Sequence, residues 1–217
     1  MEKVLVAIPS YNGPSPRPFY SFLNLAFQAG LDRADRKYSV KFLVGGPKIK
    51  TSAVRNTAVK AALATHATHL LMVDDDMVPS HDLIPRLLAH NVDIVGPLFF
   101  RGGGAQEPLV FEYQKDGTLC TMADYPKDTL FQVPAGIGTG VMMVKTEVFM
   151  AMSQPWFYYP PDDSGMDLNF CKRAIAAGFL IFCDSTFVVP QMGIPQLISG
   201  TRDVATLSEE ERQTWQV

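Results

Sequence analysis

Cysteine is scarce in this chain. Cys120, Cys171 and Cys183 are the only three in 217 residues. They form no CxxC pair and no Cys/His spacing of the kind that holds zinc, which argues against a disulfide framework and a zinc site. Long apolar runs are also missing: no stretch reaches the roughly 18 residues needed to cross a bilayer. Met1-Glu2-Lys3 leads directly into a short apolar strand instead of a leader. These absences predict a reduced, cytoplasmic chain that is neither secreted nor membrane-spanning. Charge of one sign is lacking too. With 19 Lys and Arg against 22 Asp and Glu, the net charge is -3. No global basic field exists, and nucleic acid enters only as an acceptor held by a local patch. There is no internal repeat, no low-complexity tract and no interdomain linker. At 47% hydrophobic and 19% charged, the composition is that of one globular domain with a sizeable core.

Within that domain, strand-like and helix-like segments alternate through the first half. Val4 to Ile8 is a continuous apolar run of strand length, closed by the turn formers Pro9-Ser10-Tyr11-Asn12-Gly13. Ser15 to Gly30 reads as a helix with prolines in its first turn and Gly30 as its stop. Tyr38 to Val44 is a second strand, Ser52 to Ala64 a helix, and His69 to Val73 a third strand. A helix capped by Ser80 and running to about His90, then a strand at Val92 to Val95, complete a βαβαβαβ order. That order, with near-continuous apolar strands, predicts an α/β fold with a mostly parallel central sheet flanked by helices. Beyond Gly96 the pattern becomes α+β. A hairpin is expected over Leu109 to Thr121, turning at Lys115-Asp116-Gly117. A strand is expected at Val141 to Val144, a helix over Met166 to Ala177 ended by Gly178, a strand at Leu180 to Cys183, and a polar helical tail in 201–217.

Asp74-Asp75-Asp76 follows directly on Leu70-Leu71-Met72-Val73. In parallel α/β sheets the ligand crevice lies outside the carboxyl ends of the strands, so three carboxylates are aimed at it. Like charges this close repel. A hard divalent cation, Mg²⁺ or Mn²⁺, relieves the repulsion with oxygen ligands and can neutralise a departing diphosphate. The competing reading is a solvated acidic turn. Arg55 supplies a multi-donor cation for phosphate, with Lys48, Lys50 and Arg101 more plausible on solvated faces. Trp156-Phe157-Tyr158-Tyr159 offers ring faces for an acceptor, against burial of at least half of them. The four histidines lack metal spacing and receive no catalytic role.

The segment Val4 to Asn12 resembles the opening strand and loop of family-2-like GT-A glycosyltransferases, nucleotide-diphospho-sugar transferases whose first loop borders the nucleotide base. Arg55-Asn56, Leu70 to Asp76 and Pro79 are similar to the same family in combination. So are Gly138-Thr139-Gly140-Val141, beside the donor sugar, and Met166 to Cys171, in the place of a Glu-Asp motif. The likeness runs from about residue 3 to 193. It implies a single GT-A domain, with a nucleotide-sugar-binding half in 1–100 and an acceptor-side half in 101–200. The activity it implies is metal-dependent transfer from a nucleotide-sugar donor, UDP-linked as a first expectation, to a hydroxyl of a glycan, lipid-linked sugar, protein or modified DNA base. Pro9, Tyr11, Arg55, Asp74, Asp75, Gly138 and Gly140 then contact the donor. Asp74, Asp76 and Gln191 hold Mn²⁺ or Mg²⁺, and Asp167, with Asp163 nearby, serves as base. Two positions depart from the pattern: Met166 replaces the Glu of Glu-Asp, and Gln191 stands where relatives carry a metal-binding histidine. A nucleotidyltransferase and a non-catalytic nucleotide-sugar or glycan-binding module are the alternatives. The first would need a glycine-rich basic loop after strand one, which Pro9 to Gly13 is not. The acceptor and the oligomeric state leave no signature in the sequence.

Overall fold

A computed structural model describes residues 1–10, 13–35, 37–45, 49–101, 107–161 and 165–192, and the backbone of 197–198. The expected 201–217 tail lies outside the described residues. The first three strands are β1 (Glu2–Ile8), β2 (Tyr38–Val44) and β3 (His69–Val73), joined by α1 (Pro16–Ala34) and α2 (Thr51–Ala64). β1 pairs in parallel with both β2 and β3. Their side chains sort by strand alternation. Val4, Val6, Ile8, Leu71 and Val73 share one core layer with Phe22 and Leu25 of α1. Leu5, Ala7, Leu70 and Met72 pack on the opposite layer with Ala58, Val59 and Ala62 of α2. Each large aliphatic side chain buried this way contributes about 1.5–3 kcal/mol. A sheet apolar on both faces and covered by helices is the α/β arrangement that the near-continuous apolar strands predict.

The chain continues through α3 (Leu83–Ala89), β4 (Ile94–Leu98), β5 (Val110–Tyr113), β6 (Leu119–Thr121), β7 (Leu130–Gln132), β8 (Gly136–Ile137) and β9 (Val141–Lys145). It ends in α4 (Thr146–Ala151), α5 (Met166–Ala176), β10 (Ile181–Val188), β11 (Gln191–Met192) and β12 (Leu197–Ile198). The central sheet has seven strands in the order β2-β1-β3-β9-β4-β10-β7. β9 lies antiparallel between β3 and β4, so the parallel run expected across the first four strands is interrupted by a strand from the second half. The insertion is decisive for the site. It brings Gly140 beside Asp74, whose N–H donates to the Gly140 carbonyl at 2.8 Å.

Smaller differences have local causes. α1 passes through Gly30, which faces solvent and costs an exposed helix only about 1 kcal/mol. α3 starts at Leu83 after Asp82, and Ser80 does not cap it. The hairpin forms as expected, β5 against β6, with Gly117 at φ 85° and Thr118 N–H donating to Asp116 at 2.9 Å. Gly178, at φ 92°, follows α5 as its sequence position requires.

Candidate active site

The three aspartates after β3 meet three different partners, which is how the fold tolerates them side by side. Arg55 Nη2 donates to Asp74 Oδ1 and Oδ2 at 2.8 and 3.0 Å. Ser10 Oγ, in the loop after β1, donates to Asp75 Oδ2 at 2.6 Å. Gln191 Nε2, at the start of β11, donates to Asp76 Oδ2 at 2.8 Å. The backbone locks the last contact, since Met192 N–H donates to the Asp76 carbonyl at 2.7 Å.

Arg55 lies on the first half of α2 and is 3% exposed. It spans two carboxylates, its Nη1 reaching Asp167 Oδ1 at 3.1 Å. Asp167 Oδ2 accepts the Thr139 N–H at 3.1 Å, so this residue is fixed by β9's approach and by α2. No side-chain cap bond forms at the start of α5. Burial works against the Arg55 charge, and the adjoining Asp74 and Asp167 carboxylates more than offset it, leaving its pKa above the ordinary arginine value. Burial also lifts the Asp74 carboxyl to about 6, against the opposing pull of Arg55. Asp76 is raised, first by burial, with the Gln191 bond acting in the other direction.

Two cavities meet at Asp74. The larger, about 590 Å³, is lined by Arg55, Asp74, Gly138, Tyr159, Asp167 and Gln191 among others. The smaller, about 150 Å³, is lined by Pro9, Ser10 and all three aspartates. Among the described residues, Asp76 Oδ1, Gln191 Oε1, Thr139 Oγ1 and Arg55 Nε are buried without a hydrogen-bond partner. Buried polar atoms are normally satisfied, and such atoms gathered at one site call for a ligand or ion. Three of the four are oxygens, and those of Asp76 and Gln191 are the carboxylate and amide oxygens that hard cations such as Mg²⁺ and Mn²⁺ accept. The donor set therefore fits such a cation in the mode where one or two protein groups act together with substrate phosphates. Among the described residues, no three His, Cys, Asp or Glu side chains gather as a complete metal cage.

The remaining expectations resolve individually. Gly138 lines the large cavity, and a Cβ there would come within 3.0 Å of the Phe99 ring. At Gly140 the same ring lies 2.9 Å from such a Cβ. Packing against Phe99 thus accounts for both glycines. Trp156 and Phe157 are buried, while Tyr158 and Tyr159 remain exposed. Arg101 pairs with Glu107 at 3.2 Å on the surface. His90 bonds Asp184 at 2.6 Å, away from the aspartate triplet. Tyr11, Lys48 and Asp163 lie outside the described residues.

Asn56 has a role that its neighbourhood in sequence does not reveal. Its Oδ1 accepts the Trp156 and Phe157 N–H groups at 3.0 and 3.2 Å. Its Nδ2 donates to the Phe157 carbonyl at 2.6 Å and to the Ser52 carbonyl at 2.8 Å. One amide thereby ties α2 to the segment that delivers Tyr159. The adjacency of Arg55 and Asn56 was the available signal: consecutive positions on a helix serve two different walls of the same crevice.

No protein-family model and no curated protein matches the sequence. Solved structures do resemble it. A197 from STIV aligns over 93% of this chain and 92% of its own, at 18% identity and a TM-score of 0.61. TarS residues 1–349 from S. aureus aligns over 85% of this chain at 16% identity and a TM-score of 0.48, and this chain spans 58% of that structure's length. Mannose-1-phosphate geranyltransferase from Thermus thermophilus aligns over 70% of this chain and 59% of its own, at 12% identity and a TM-score of 0.41. The likeness to A197 from STIV, which extends nearly end to end in both chains, is a likeness of fold.

Proposed function

We propose that this protein is a glycosyltransferase of the GT-A type, moving a sugar from a nucleotide-diphosphate donor to an acceptor hydroxyl. One observation carries the reading. At the carboxyl end of the central sheet, a crevice of about 590 Å³ holds Asp74, the first acid of the triplet, and Asp167, bridged by one buried arginine. Beside it, Gln191 of this crevice and Asp76 of the adjoining smaller cavity each carry a buried oxygen without a hydrogen-bond partner.

In this reading Pro9, Tyr11 and Asp75 border the nucleotide, and Gly138 and Gly140 shape the wall beside the sugar. Arg55 positions Asp74 and Asp167 and adds positive potential where the diphosphate departs. Asp76 and Gln191, with Asp74 beside them, hold Mn²⁺ or Mg²⁺, which when bound supplies charge neutralisation for the leaving diphosphate. Asp167, aimed into the crevice and set by Thr139 N–H and Arg55, takes the acceptor proton if the reaction inverts the anomeric centre. Asp163 is the neighbouring acid that would replace it.

The test is a panel of UDP-, GDP- and dTDP-sugars scored for thermal stabilisation with and without Mn²⁺. A ligand that binds only the folded state raises the melting temperature by mass action. Stabilisation by one donor class, dependent on Mn²⁺, is the expected result. No stabilisation by any of them would refute the proposal. A non-catalytic binding module is the second reading, favoured by Met166, which is 4% exposed where a second acid is expected to face the site. Donor hydrolysis or transfer in the same samples decides between the two.

A further inference from the structure

The glycosyl-transfer reading leaves the acceptor open, and the lining of the large crevice narrows it. Leu109, just ahead of β5, and Phe111, within it, line that crevice together with Met166 and Leu168 at the start of α5. These side chains close over the glycines of the β8 segment. Leu109 Cβ lies 3.2 Å from where a Cβ on Gly138 would stand, and Leu168 Cδ2 lies 3.3 Å from one on Gly136. Phe111 is in register with Gly136 across β5 and β8. Phe111 and Met166 are buried, while Leu109 and Leu168 are half-buried. Asp167 comes between Met166 and Leu168 in sequence, and its Oδ2 accepts the N–H of Thr139, the residue after Gly138. The proposed base therefore adjoins an apolar wall.

Tyr159 adds a ring face to the same crevice. It is 64% exposed, yet the backbone leading to it is held from α5. Asn169 Nδ2 donates to the Tyr158 carbonyl at 3.1 Å, and Arg173 Nη1 donates to the Pro155 and Trp156 carbonyls at 2.7 and 3.1 Å. Asn56 holds the same stretch from α2. The helix that carries Asp167 thus also sets where Tyr159 stands. An exposed ring on a fixed backbone is a platform for stacking.

Polar partners are scarce beside that surface. Arg55 is engaged by Asp74 and Asp167, Gln191 bonds Asp76, and Arg101 pairs with Glu107. Thr51 also lines the smaller cavity of Ser10 and the aspartates, on the nucleotide side of the proposed site. Among the described lining residues, the Tyr159 hydroxyl is what remains. A sugar acceptor brings several hydroxyls besides the reacting one, and each that loses water against this wall without a partner weakens binding about tenfold. A flat apolar ring has no such groups to strand, and it gains by burial and stacking.

We propose, resting on the glycosyl-transfer reading, that the acceptor is an aryl alcohol, its ring received by Tyr159 and the wall of Leu109, Phe111 and Leu168 and its hydroxyl presented to Asp167. The hydroxyl oxygen bonds the anomeric carbon as that carbon's bond to the diphosphate oxygen breaks. The bonding pair leaves with the nucleoside diphosphate, and the hydroxyl proton passes to Asp167.

The experiment uses the full chain and has two arms, with melting temperature measured on every preparation. In the first, saturation-transfer NMR with Mg²⁺ and no donor compares benzyl alcohol with methyl glucoside as ligands. In the second, the same two compounds are offered as acceptors with whichever nucleotide sugar stabilises the chain. Benzyl alcohol should give the stronger saturation transfer and should be favoured by about 10-fold or more in kcat/KM. Tyr159→Ser should weaken benzyl alcohol about 10-fold in both arms at an unchanged melting temperature, because the ring is exposed. Tyr159→Phe keeps the ring and should behave as the wild type. Methyl glucoside matching benzyl alcohol in either arm overturns the inference, as does a Tyr159→Ser protein that takes benzyl alcohol as the wild type does. Donor stabilisation with Mn²⁺ but no response to benzyl alcohol overturns it and leaves the transfer reading standing. Binding of benzyl alcohol with no nucleotide sugar stabilising the chain refutes the transfer reading, and with it the acceptor role of this wall.

Discussion

Gln191 donates its side-chain amide to Asp76 across 2.8 Å, joining residues 115 positions apart. The bond uses Asp76 Oδ2 and Gln191 Nε2 and leaves Asp76 Oδ1 and Gln191 Oε1 buried without partners. If these oxygens hold the cation, Asp76→Ala abolishes Mn²⁺-dependent binding of the nucleotide donor while the melting temperature of the free protein stays within a few degrees. Gln191→His tightens Mn²⁺, because imidazole is a better ligand for it than an amide oxygen. Calorimetric titration of Mn²⁺ into each variant with a nucleoside diphosphate checks both. Unchanged Mn²⁺ affinity in Asp76→Ala removes the triplet's last acid from the site.

Arg55 bridges Asp74 and Asp167, and that bridge bears on stability. Removing one member of a buried ion group leaves its partners uncompensated, at a cost that reaches 3–5 kcal/mol when all are fully buried. Here the side chains of Asp74 and Asp167 are 31% and 36% exposed and can recruit water. We therefore expect Arg55→Met to lose roughly 2–3 kcal/mol. Asp74→Asn in the Arg55→Met background should recover part of that loss, as one stranded charge is gone. Urea unfolding of the two variants measures the difference, and an Arg55→Met protein as stable as the wild type contradicts the bridging role.

Asn56 should matter for both fold and site. Asn56→Ala leaves the Trp156 and Phe157 N–H groups and the Phe157 carbonyl without their side-chain partner, a loss of about 2–3 kcal/mol. Tyr159, two residues beyond Phe157, lines the large cavity, so donor or acceptor affinity should weaken together with stability. Asn56→Asp tests the donor half separately. It keeps an acceptor for the two N–H groups but sets a carboxylate against the Phe157 carbonyl. Stability of Asn56→Ala within about 0.5 kcal/mol of wild type, the range of an ordinary surface change, would make the clamp dispensable.

The sequence exposes those parts of this molecule that depend on local patterning. Val4 to Ile8 and His69 to Val73 read as buried strands because every residue in each is apolar or strand-compatible, and each is buried. Asp74 to Asp76 read as crevice acids because they end such a strand. Three other features depend on distant pairing and leave no local mark. β9 is inserted between β3 and β4, although its apolar run would serve equally well at an edge. The Arg55 to Asp167 contact spans 112 positions, so Arg55 reads from sequence only as a free cation for phosphate. Gly138 and Gly140 suggest a close approach to ligand, whereas their nearest neighbour is Phe99 on the β4 side. In each case the side chain is visible in the sequence and its partner is fixed only by topology.

A carboxylate away from the site gives a pH signature. Asp32 is held below the ordinary carboxylate range, first by the Tyr38 hydroxyl, which donates at 2.6 Å, and also by Lys37 and Gln28, with burial opposing them. A depressed folded-state pKa contributes stability that is present above the unfolded value near 3.8 and is lost as pH falls through the lower folded value. Tyr38→Phe removes the largest of these contributions. It should cost about 1–2 kcal/mol at neutral pH, and the gap to wild type should close as pH drops below about 3.8. Denaturation at a series of pH values measures the gap. A difference that stays constant down to the lowest pH would assign the loss to packing alone.

Asp167 is the acid proposed to take a proton from an acceptor. It sits in the first turn of α5 and lines the same crevice as Tyr159, with one oxygen on the Thr139 N–H and the other on Arg55. Both bonds fix the orientation of the carboxylate. Asp167→Asn keeps the size and keeps an oxygen for Thr139 N–H, so the crevice should retain its shape and donor affinity should change by less than about threefold. Removing the base should lower turnover by roughly 100- to 10,000-fold. Because Asn presents an N–H₂ in place of one carboxylate oxygen, it also sets a donor against Arg55. Asp167→Glu is the companion variant, with charge retained and reach altered, and should recover part of the rate if proton transfer is the role. Donor binding and transfer must be measured on the same preparation. Near-normal transfer by Asp167→Asn would move the base to Asp163 or Asp162, or make the enzyme a retaining one that needs no such base. A collapse of donor binding would instead place Asp167 in the donor site.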